Sequence, residues 1–291
     1  MIATTGFFDG VHTGHRLVIQ RLVSEAHARG DESLVITFWP HPRTVLQDGA
    51  RELRLLSTPE EKRERLEALG VDRIEVLDFT RRFAALTAEQ YLRDVLRDRF
   101  GVTALLVGYD NRLGSDRLTA SALAPIAEAL GMELIEMESW MCAPSICPVS
   151  STRIRKALTE GRIDEATAML GYGYALQGVV VAGSRLGRTL GFPTANMKLD
   201  EPLKLVPARG VYAVDVEVLG RQYRGMTNIG MRPTVGGTVP TIETNIFGFD
   251  EDIYGLPLRI TFLRRIRDEV PFPSLDALHA QLEKDREACL D

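Results

Sequence analysis

Two histidines lie in a glycine-rich segment near the start of the chain, in an arrangement that suits phosphate chemistry. The segment 6–15 reads GFFDGVHTGH and joins a short apolar run, Ile2–Phe8, to a stretch with helical spacing, His15–Arg29. Its glycines allow a phosphate chain to approach the backbone, and a helix start presents unbonded N–H groups with a partial positive charge. His12 and His15 add donors at the same place, suited to the negative charge that grows on nucleotide phosphates during group transfer.

Two other interpretations of this segment remain open. Asp9, His12 and His15 are residue types that bind zinc. However, the histidines are three residues apart in a turn and lack the glutamate of a zinc-protease helix. Glycine-rich turns also join strands to helices for purely structural reasons. We favour a phosphate site over both.

A second cluster, Val149–Arg155, places hydroxyl groups at the start of another predicted helix. Ser150, Ser151 and Thr152 supply the hydroxyls, and Arg155 lies within one turn of them. Taken alone, the cluster is equally well explained by a helix N-cap with solvated arginines. Paired with the histidine segment, it favours a clamp for a phosphate group.

The densest motif lies in the second half, where 178–196 reads GVVVAGSRLGRTLGFPTAN. Three glycines are spaced four residues apart in it: Gly183, Gly187 and Gly191. They predict a flexible loop that can close over phosphates. Thr194 and Asn196 carry oxygen atoms two residues apart, so an extended backbone places them on the same side. Two hard oxygen ligands suit Mg²⁺, with nucleotide phosphates and water completing its shell.

Short apolar runs alternate with helical stretches in the first half, which predicts a parallel sheet covered by helices. The predicted strands are Ile2–Phe8, Leu34–Phe38, Ile74–Leu77, Ala104–Val107 and Glu133–Met137. The predicted helices are His15–Arg29, Pro59–Leu69, Ala88–Phe100 and Leu123–Leu130. Ligands bind at the carboxyl ends of the strands in such sheets, and the histidine segment follows the first of these strands.

The second half has a different pattern of predicted secondary structure. After a helical stretch at Thr152–Leu170, β-rich runs are separated by glycine and proline: Ala175–Val181, Val211–Val218, Gln222–Asn228, Thr241–Phe247 and Leu258–Phe262. A helical pattern returns at Ser274–Cys289. These features predict a small β-barrel closed by a C-terminal helix. We expect a first domain at 1–158, a helical linker at 159–173 and a second domain at 174–291.

Composition excludes several classes of protein. The net charge of −5 argues against a nucleic-acid partner, and no apolar run approaches the length of a membrane span. The N-terminal segment lacks the pattern of a secretory signal, and three cysteines are too few for a disulfide framework. We therefore expect a cytoplasmic protein. The sequence does not define its oligomeric state.

The HxGH core at His12–His15 resembles the nucleotidylyltransferase superfamily. Together with Ser150–Arg155, it is similar to the N-terminal half of bacterial bifunctional riboflavin kinase/FAD synthetases. The run Gly191–Asn196 resembles the PTAN signature of riboflavin kinases. Further stretches are similar to family motifs in order and approximate spacing, so that the resemblance covers nearly the whole chain: 37–43, 55–62, 107–110, 210–213, 227–234, 242–243 and 249–255.

The resemblance implies a doubly wound, Rossmann-like nucleotidyltransferase domain, followed by a β-barrel riboflavin kinase domain with a C-terminal helix. It implies that the second half phosphorylates riboflavin to FMN. The first half would then adenylylate FMN to FAD and release pyrophosphate. ATP and Mg²⁺ would serve both steps.

The resemblance also assigns site residues. His12 and His15 would be catalytic in adenylyl transfer, and Glu243 would be the base in riboflavin phosphorylation. The alternating pattern around Glu243 alone is better explained by a strand residue that faces solvent. The residues expected to bind ATP and its phosphates are Gly6, Phe7, Asp9, Gly10, Gly14, Asp110, Ser150, Ser151, Thr152, Arg155, Gly183, Gly187 and Gly191. The residues expected to hold the metal ion are Thr194 and Asn196.

The chain departs from the family pattern at Asn111 and Leu113, where aromatic residues are usual. A lost ring would weaken packing or stacking next to the flavin or the adenine. Two further hypotheses follow: a riboflavin kinase whose first half has lost adenylylation, and a flavin- or nucleotide-binding regulator without turnover. The joint presence of His12, Glu243 and Asn196 argues against the regulator, because binding alone would not need two sets of phosphate chemistry.

Overall fold

A computed structural model describes residues 1–46, 53–108, 111–137, 149–183, 187, 190–234 and 237–290, without the side chains at 232–239. The chain forms two compact units, Met1–Ser151 and Thr152–Asp291. Each unit has its own sheet and its own buried side chains. In the described ranges, no helix combines the length and the apolar character needed to cross a membrane.

Five parallel strands form the sheet of the first unit: β1 (Ile2–Thr5), β2 (Ser33–Trp39), β3 (Arg73–Asp78), β4 (Ala104–Val107) and β5 (Glu133–Glu136). Their order across the sheet is β3-β2-β1-β4-β5. The winding therefore reverses between β1 and β4. Segments that follow these two strands emerge at the switch point, where folds of this class bind their ligands.

Helices fill the connections of the first unit: α1 (Thr13–Ala28), α2 (Pro42–Leu46), α3 (Pro59–Glu67), α4 (Arg81–Ala84), α5 (Ala88–Gln90), a π-helical segment (Tyr91–Arg97), α6 (Asp98–Phe100) and α7 (Ala120–Ala129). Local sequence fixes several of their starts. Thr58 caps α3 and Thr87 caps α5, each in a capping box with a residue three positions later.

Apolar clusters cover both faces of this sheet. On one face, Leu34 and Leu105 pack in a cluster with Leu92 of the π-helical segment. On the other, Val35 and Leu106 pack in a cluster with residues of α1. The side chains of consecutive strand residues thus pack on opposite faces of the sheet. This arrangement confirms the predicted doubly wound fold.

Six antiparallel strands close into the barrel of the second unit: β6 (Ala175–Val181), β7 (Ala195–Leu199), β8 (Gly210–Val218), β9 (Arg221–Thr234), β10 (Gly237–Ile246) and β11 (Pro257–Arg267). Their order is β10-β7-β6-β11-β8-β9. The helices that accompany the barrel in the described part of the chain are α8 (Ser151–Thr159), α9 (Ile163–Leu170) and α10 (Leu275–Leu290). The predicted barrel with a C-terminal helix is confirmed.

An ion pair attaches α10 to the barrel. Arg267 at the end of β11 donates three hydrogen bonds of 2.7 to 3.0 Å to the carboxylate of Asp285, which is almost fully buried. Gln281 on the same helix donates to the same carboxylate at 2.8 Å. These bonds satisfy the buried charge, as its removal from water requires. They also hold α10 in place, and Leu278 and Leu282 of this helix line a cavity in the second unit.

Details of the second unit differ from the sequence predictions. The helical stretch Thr152–Leu170 is two helices, because Gly161 adopts a left-handed conformation between them (φ 74°). Strand β7 was not predicted, since Ala195–Leu199 lacks an apolar run or a clear alternation. Its pairing with β6 and β10 holds it in place, and such non-local pairing cannot be read from a short segment.

Candidate active sites

The histidine motif forms a tight turn between β1 and α1. Gly10 has a positive φ of 79°, and so do two non-glycine residues, Phe8 (50°) and Val11 (34°). Glycine adopts a positive φ without strain, whereas at Phe8 and Val11 it costs roughly 1–3 kcal/mol each and persists only where surrounding contacts enforce it. Gly6 has no room for a side chain, because a Cβ there would lie 2.9 Å from the Phe8 ring. The turn is therefore strained and firmly held, as functional segments often are.

His12 and His15 are brought together at the start of α1. His12 is the N-cap, and its Nδ1 accepts a hydrogen bond from the His15 backbone N–H at 3.3 Å. The two rings stack with their centroids 3.6 Å apart and 16° between their planes. Within the described residues, the buried Nδ1 of His15 has no hydrogen-bond partner. The pair places polar ring atoms at a helix N-terminus, where anions are favoured.

Burial holds the pKa of His15 well below its usual value. The neighbouring His12 and Lys62 lower it further, because a positive charge on either disfavours a second one on His15. At neutral pH, His15 is therefore an uncharged imidazole. One of its ring nitrogens is then able to donate a hydrogen bond and the other to accept one.

The lowered pKa of His15 predicts a loss of stability in mild acid. An unfolded histidine takes up a proton near pH 6.5, whereas folded His15 stays neutral to a lower pH. Because the unfolded state then binds more protons, the free energy of unfolding falls as the pH drops below about 6.5. Between about pH 7.5 and about pH 5.5, the Tm of the first unit should decrease less in His15→Gln than in wild type. Equal slopes in the two proteins would contradict this assignment.

Asp9 links the turn to a second loop. Its carboxylate accepts hydrogen bonds from the N–H groups of Leu56 and Ser57 at 3.0–3.1 Å, and the residue is 3% exposed. The N–H of Gly10 donates to Ser57 Oγ at 3.0 Å. These contacts explain Asp9 as a support of the turn, and its direct binding of phosphate stays a prediction. Across the described ranges, no three His, Cys, Asp or Glu side chains lie close enough to form a metal-binding group.

The hydroxyl end of the second cluster lies against the histidine turn. Ser151 Oγ donates to the backbone oxygen of Asp9 at 3.0 Å. A Cβ on Gly14 would lie 3.4 Å from the His12 ring and 3.9 Å from the backbone oxygen of Val149. The structure thus brings this part of the predicted phosphate clamp next to the histidines.

The remaining members of the cluster are Ser150, Thr152 and Arg155. Ser150 immediately precedes α8. Thr152 and Arg155 lie on α8 within the second unit. Their predicted contact with a phosphate stays a prediction.

The segment after β4 contains the departures from the family pattern. Tyr109 and Asp110 lie outside the described residues. Leu113 is 9% exposed and belongs to the core on one face of the sheet. It also exchanges two backbone hydrogen bonds with Leu118, at 2.9 and 3.1 Å. This aliphatic residue therefore has a structural role in the core, in a position where the family pattern has an aromatic ring.

A row of polar residues crosses three neighbouring strands of the barrel. Glu243 on β10 lies directly opposite Asn196 on β7 and, on its other side, opposite Asn228 on β9. Side chains opposite each other have Cβ atoms about 4.5–5.5 Å apart. Asn228 was missed as a site residue in the sequence, although it belongs to the family-like stretch 227–234.

A cavity of about 320 Å³ is lined by two residues of this row, Glu243 and Asn228, and by Thr194. Glu243 and Asn245 line it, while Ile242 and Thr244 on the opposite face of β10 are buried. The apolar lining comes from the barrel, the loop before β7, the segment after β11 and α10, and includes Phe192, Met226, Phe272, Leu278 and Leu282. The volume and the mixture of apolar walls with few polar groups are typical of a small-molecule site.

The glycine-rich loop approaches the predicted metal ligands closely. A Cβ on Gly183 would lie 2.1 Å from the Asn196 amide nitrogen, and one on Gly187 would lie 2.3 Å from the Phe192 backbone oxygen. These two glycines are therefore needed for close contact. Gly191, at φ 78°, turns the chain before Thr194. Residues 184–186, 188 and 189 of this loop lie outside the described residues.

Thr194 and Asn196 are held in place by β7 and β10. Asn245 Nδ2 donates to the Pro193 backbone oxygen at 2.6 Å, and Asn196 pairs with Glu243 across the strands. The Thr194 hydroxyl and the Asn196 amide oxygen are hard oxygen donors, which suit a cation such as Mg²⁺ that keeps several waters. The donor set therefore fits a divalent metal.

Comparison with known proteins identifies both halves. Residues 1–153 match a family model described as FAD synthetase, and residues 170–291 match one described as riboflavin kinase. A bifunctional riboflavin kinase/FMN adenylyltransferase from Escherichia coli K12 is 38% identical over 98% of this chain and 90% of the relative. One from Listeria monocytogenes is 36% identical with the same coverage.

A solved structure has the same architecture. It is described as a macrolide-efflux protein from Streptococcus pneumoniae, with a TM-score of 0.91, 34% identity and coverage of 100% of this chain and 93% of that one. Its description concerns that protein, and the family matches determine the identity of this one. Both halves and nearly the full length agree, so the chain belongs to the family of bifunctional riboflavin kinases/FMN adenylyltransferases.

Proposed function

We propose that the second unit phosphorylates riboflavin to FMN and that the first unit adenylylates FMN to FAD. The enzyme therefore makes FAD from riboflavin with two molecules of ATP. The observation that carries this proposal is that the histidine turn and the glycine-rich loop lie in separate units, each within residues that match its own family model.

In the first unit, an FMN phosphate oxygen attacks the α-phosphorus of ATP. The bond from that phosphorus to the bridging oxygen of the β-phosphate breaks, and pyrophosphate leaves. His12 and His15 are proposed to donate hydrogen bonds to the phosphate oxygens, where charge develops in the transition state. Their place at the start of α1, next to Ser151, supports this role. Catalysis then consists of positioning and charge neutralisation, without a covalent intermediate.

In the second unit, the 5′-hydroxyl of riboflavin attacks the γ-phosphorus of ATP. Glu243 is proposed to accept the hydroxyl proton as ADP leaves. The cavity over Glu243 supports the role, because its apolar lining suits the flavin ring and its polar residues lie at one strand row. Asn228, opposite Glu243, is proposed to contact the same end of the substrate.

Mg²⁺ is the proposed divalent metal in the second unit, and it would neutralise and orient the ATP phosphates. Thr194 and Asn196 are proposed to hold it. Their oxygen donors and the close approach of Gly183 support this choice. We also propose a cytoplasmic location, which rests on the cysteine usage of the sequence.

One incubation tests the proposal directly. The full-length protein is mixed with riboflavin, ATP and Mg²⁺, and FMN and FAD are separated by chromatography. We expect both products, with FMN appearing first. FMN alone would indicate a kinase with a degenerate first unit, and neither product would indicate a binding protein without turnover.

The second unit should work without the first, which also tests the proposed domain boundary. A fragment 174–291 contains the whole barrel and α10, whereas a fragment 152–291 also keeps α8 and α9. The backbone N–H of Ala208 bonds to Leu158 O at 2.9 Å, and α9 buries Ile163 and Leu170. We therefore expect both fragments to phosphorylate riboflavin and the longer one to have the higher Tm. Inactivity of both fragments would refute the independence of the unit.

A further inference from the structure

The segment Leu56–Lys62 lies within the family-like stretch 55–62 and has no direct part in the proposed chemistry. Thr58 is the N-cap of α3, so Ser57 occupies the position before the cap and Lys62 the fourth position of the helix. In many helices these two positions carry apolar side chains that pack together, because they lie on the same side of the helix start. Here both residues are polar, and both bond to the histidine turn.

Lys62 is 3% exposed and bonds to Phe7, near the start of that turn. Its Nζ donates to the Phe7 backbone oxygen at 2.8 Å and to Thr37 Oγ1 at 3.0 Å. Thr37 Oγ1 donates to the same Phe7 oxygen at 3.2 Å. The ammonium also lies 4.0 Å from the centroid of the Phe7 ring, a cation–π contact. Lys62 thus has the partners that a buried ammonium requires.

The segment holds the turn at three places. Lys62 bonds to the carbonyl of Phe7, the N–H groups of Leu56 and Ser57 bond to the Asp9 carboxylate, and Ser57 Oγ accepts from the Gly10 N–H. The strained residue Phe8 lies between these attachment points. Strain of that kind persists only where surrounding structure enforces it, and these bonds provide the enforcement.

Lys62 also adds positive charge beside the histidines. Burial lowers the pKa of Lys62 to about 8, and Asp9 opposes that shift. At neutral pH, most molecules therefore carry a protonated, positively charged Lys62. This charge is one of three causes that lower the pKa of His15, after burial and the neighbouring His12. A charge in a poorly solvated site acts more strongly than one in water, and a positive one favours a polyphosphate.

We propose that Lys62 is a positioning residue for adenylyl transfer. It holds the Phe7 carbonyl and thereby the turn that carries His12, and it supplies a buried positive charge next to the histidine pair. This inference rests on the proposed assignment of adenylyl transfer to the first unit.

The test replaces Lys62 in the full-length enzyme. Lys62→Met keeps the length of the side chain and removes its charge and donors. With FMN, ATP and Mg²⁺, its kcat for FAD formation should fall about 10- to 100-fold, the range for a lost charge-assisted contact that orients a site. FMN formation from riboflavin should keep its wild-type rate. Lys62→Arg keeps a charged donor and should recover part of the lost kcat.

Arg63→Met is the matched control. Arg63 lies next to Lys62 on α3, but its side chain is 49% exposed and pairs only loosely with Glu67, at 3.9 Å. Its loss should leave FAD formation at the wild-type rate. A similar loss in Arg63→Met and Lys62→Met would refute a specific role for Lys62.

The titration of His15 separates positioning from mere stability. Among the described residues, burial lowers the pKa of His15, and the charges of His12 and Lys62 lower it further. The negative charge of Asp9 raises the pKa of Lys62. In folded Lys62→Met, the titration of the His15 ring is followed by NMR below the Tm of the variant. The midpoint of this titration should lie at a higher pH than in wild type. An unmoved midpoint, or FAD formation at the wild-type rate, would overturn the inference. If Lys62→Met does not fold, Lys62→Gln is measured in the same way. A wild-type enzyme that makes no FAD would instead refute the proposed function.

Discussion

His12→Ala should reduce FAD formation from FMN by at least about 10²–10³-fold, the usual effect of removing one donor from developing negative charge. FMN formation from riboflavin should stay near the wild-type rate, since Glu243, Thr194 and Asn196 belong to the other unit. Both rates are measured on the same full-length protein. The second reaction therefore checks that the protein is correctly quantified and that its second unit is folded, and the Tm of the first unit checks the fold around position 12.

His12 is also the N-cap of α1, so the loss of a cap must be separated from the loss of catalysis. Replacing a capping side chain by alanine costs about 0.5–2 kcal/mol of stability. His12→Asn keeps an acceptor for the His15 N–H, because asparagine is among the best capping residues. We expect His12→Asn to recover stability without recovering FAD formation. An Asn variant with wild-type activity would reduce His12 to a structural residue.

His27→Ala provides a matched histidine control on the same helix. His27 is more than half exposed and contacts Asp72 at 3.0 Å, far along α1 from the turn. Exposed pairs of this kind contribute little to stability. Its replacement should leave both rates unchanged. Loss of kinase activity in a folded His12→Ala protein would contradict the separation of the two sites.

The histidine site could be predicted from the sequence because its signals are local. Gly6, Gly10 and the two histidines lie within ten residues, between a strand and a helix whose patterns are clear. The supports of the turn were not predicted. Asp9 bonds to Leu56 and Ser57, 47 and 48 residues away, and no local pattern reports such a contact.

The sequence around Lys62 contains a signal of its buried, polar environment. Its helix is strongly charged, so a solvated side chain is the ordinary expectation for a lysine there. The capping box at Thr58 nevertheless fixes the register of the helix. With that register, a serine and a lysine occupy the positions where apolar side chains usually meet. A polar pair at this place indicates that the helix start faces other polar groups.

In the second unit, the strand pattern predicted the barrel but not the neighbours of Glu243. Alternation places Glu243 and Asn245 on one face of β10 and Ile242 and Thr244 on the other. It does not tell which face is covered. The cavity forms because α10 and the loop before β7 lie over that face, and these elements are distant in sequence.

Glu243→Gln should lower the rate of riboflavin phosphorylation by about 10²–10⁴-fold, the usual contribution of a general base. Glutamine keeps the size and hydrogen-bonding shape of the side chain but cannot accept the proton at neutral pH. The KM values for riboflavin and ATP should change little, because the apolar cavity walls and the metal ligands are intact. FAD formation from supplied FMN should keep its wild-type rate.

Glu217→Gln is the control for a strand glutamate. Glu217 lies on β8 with its side chain exposed, and such substitutions usually change stability by less than about 0.5 kcal/mol. It should leave both rates unaltered. If Glu243 merely faced solvent, Glu243→Gln would behave in the same way as Glu217→Gln.

The size of the Glu243 effect also reports on the transition state. In a loose transition state the bond to the leaving ADP is largely broken before the attacking oxygen bonds to phosphorus. The hydroxyl proton then leaves late, and the loss in Glu243→Gln can be below about tenfold. A tighter transition state demands earlier proton transfer and a loss towards the upper end of the range. Rates measured with rapid mixing under single-turnover conditions separate this step from product release. A single-turnover rate equal to that of wild type is incompatible with Glu243 as the base.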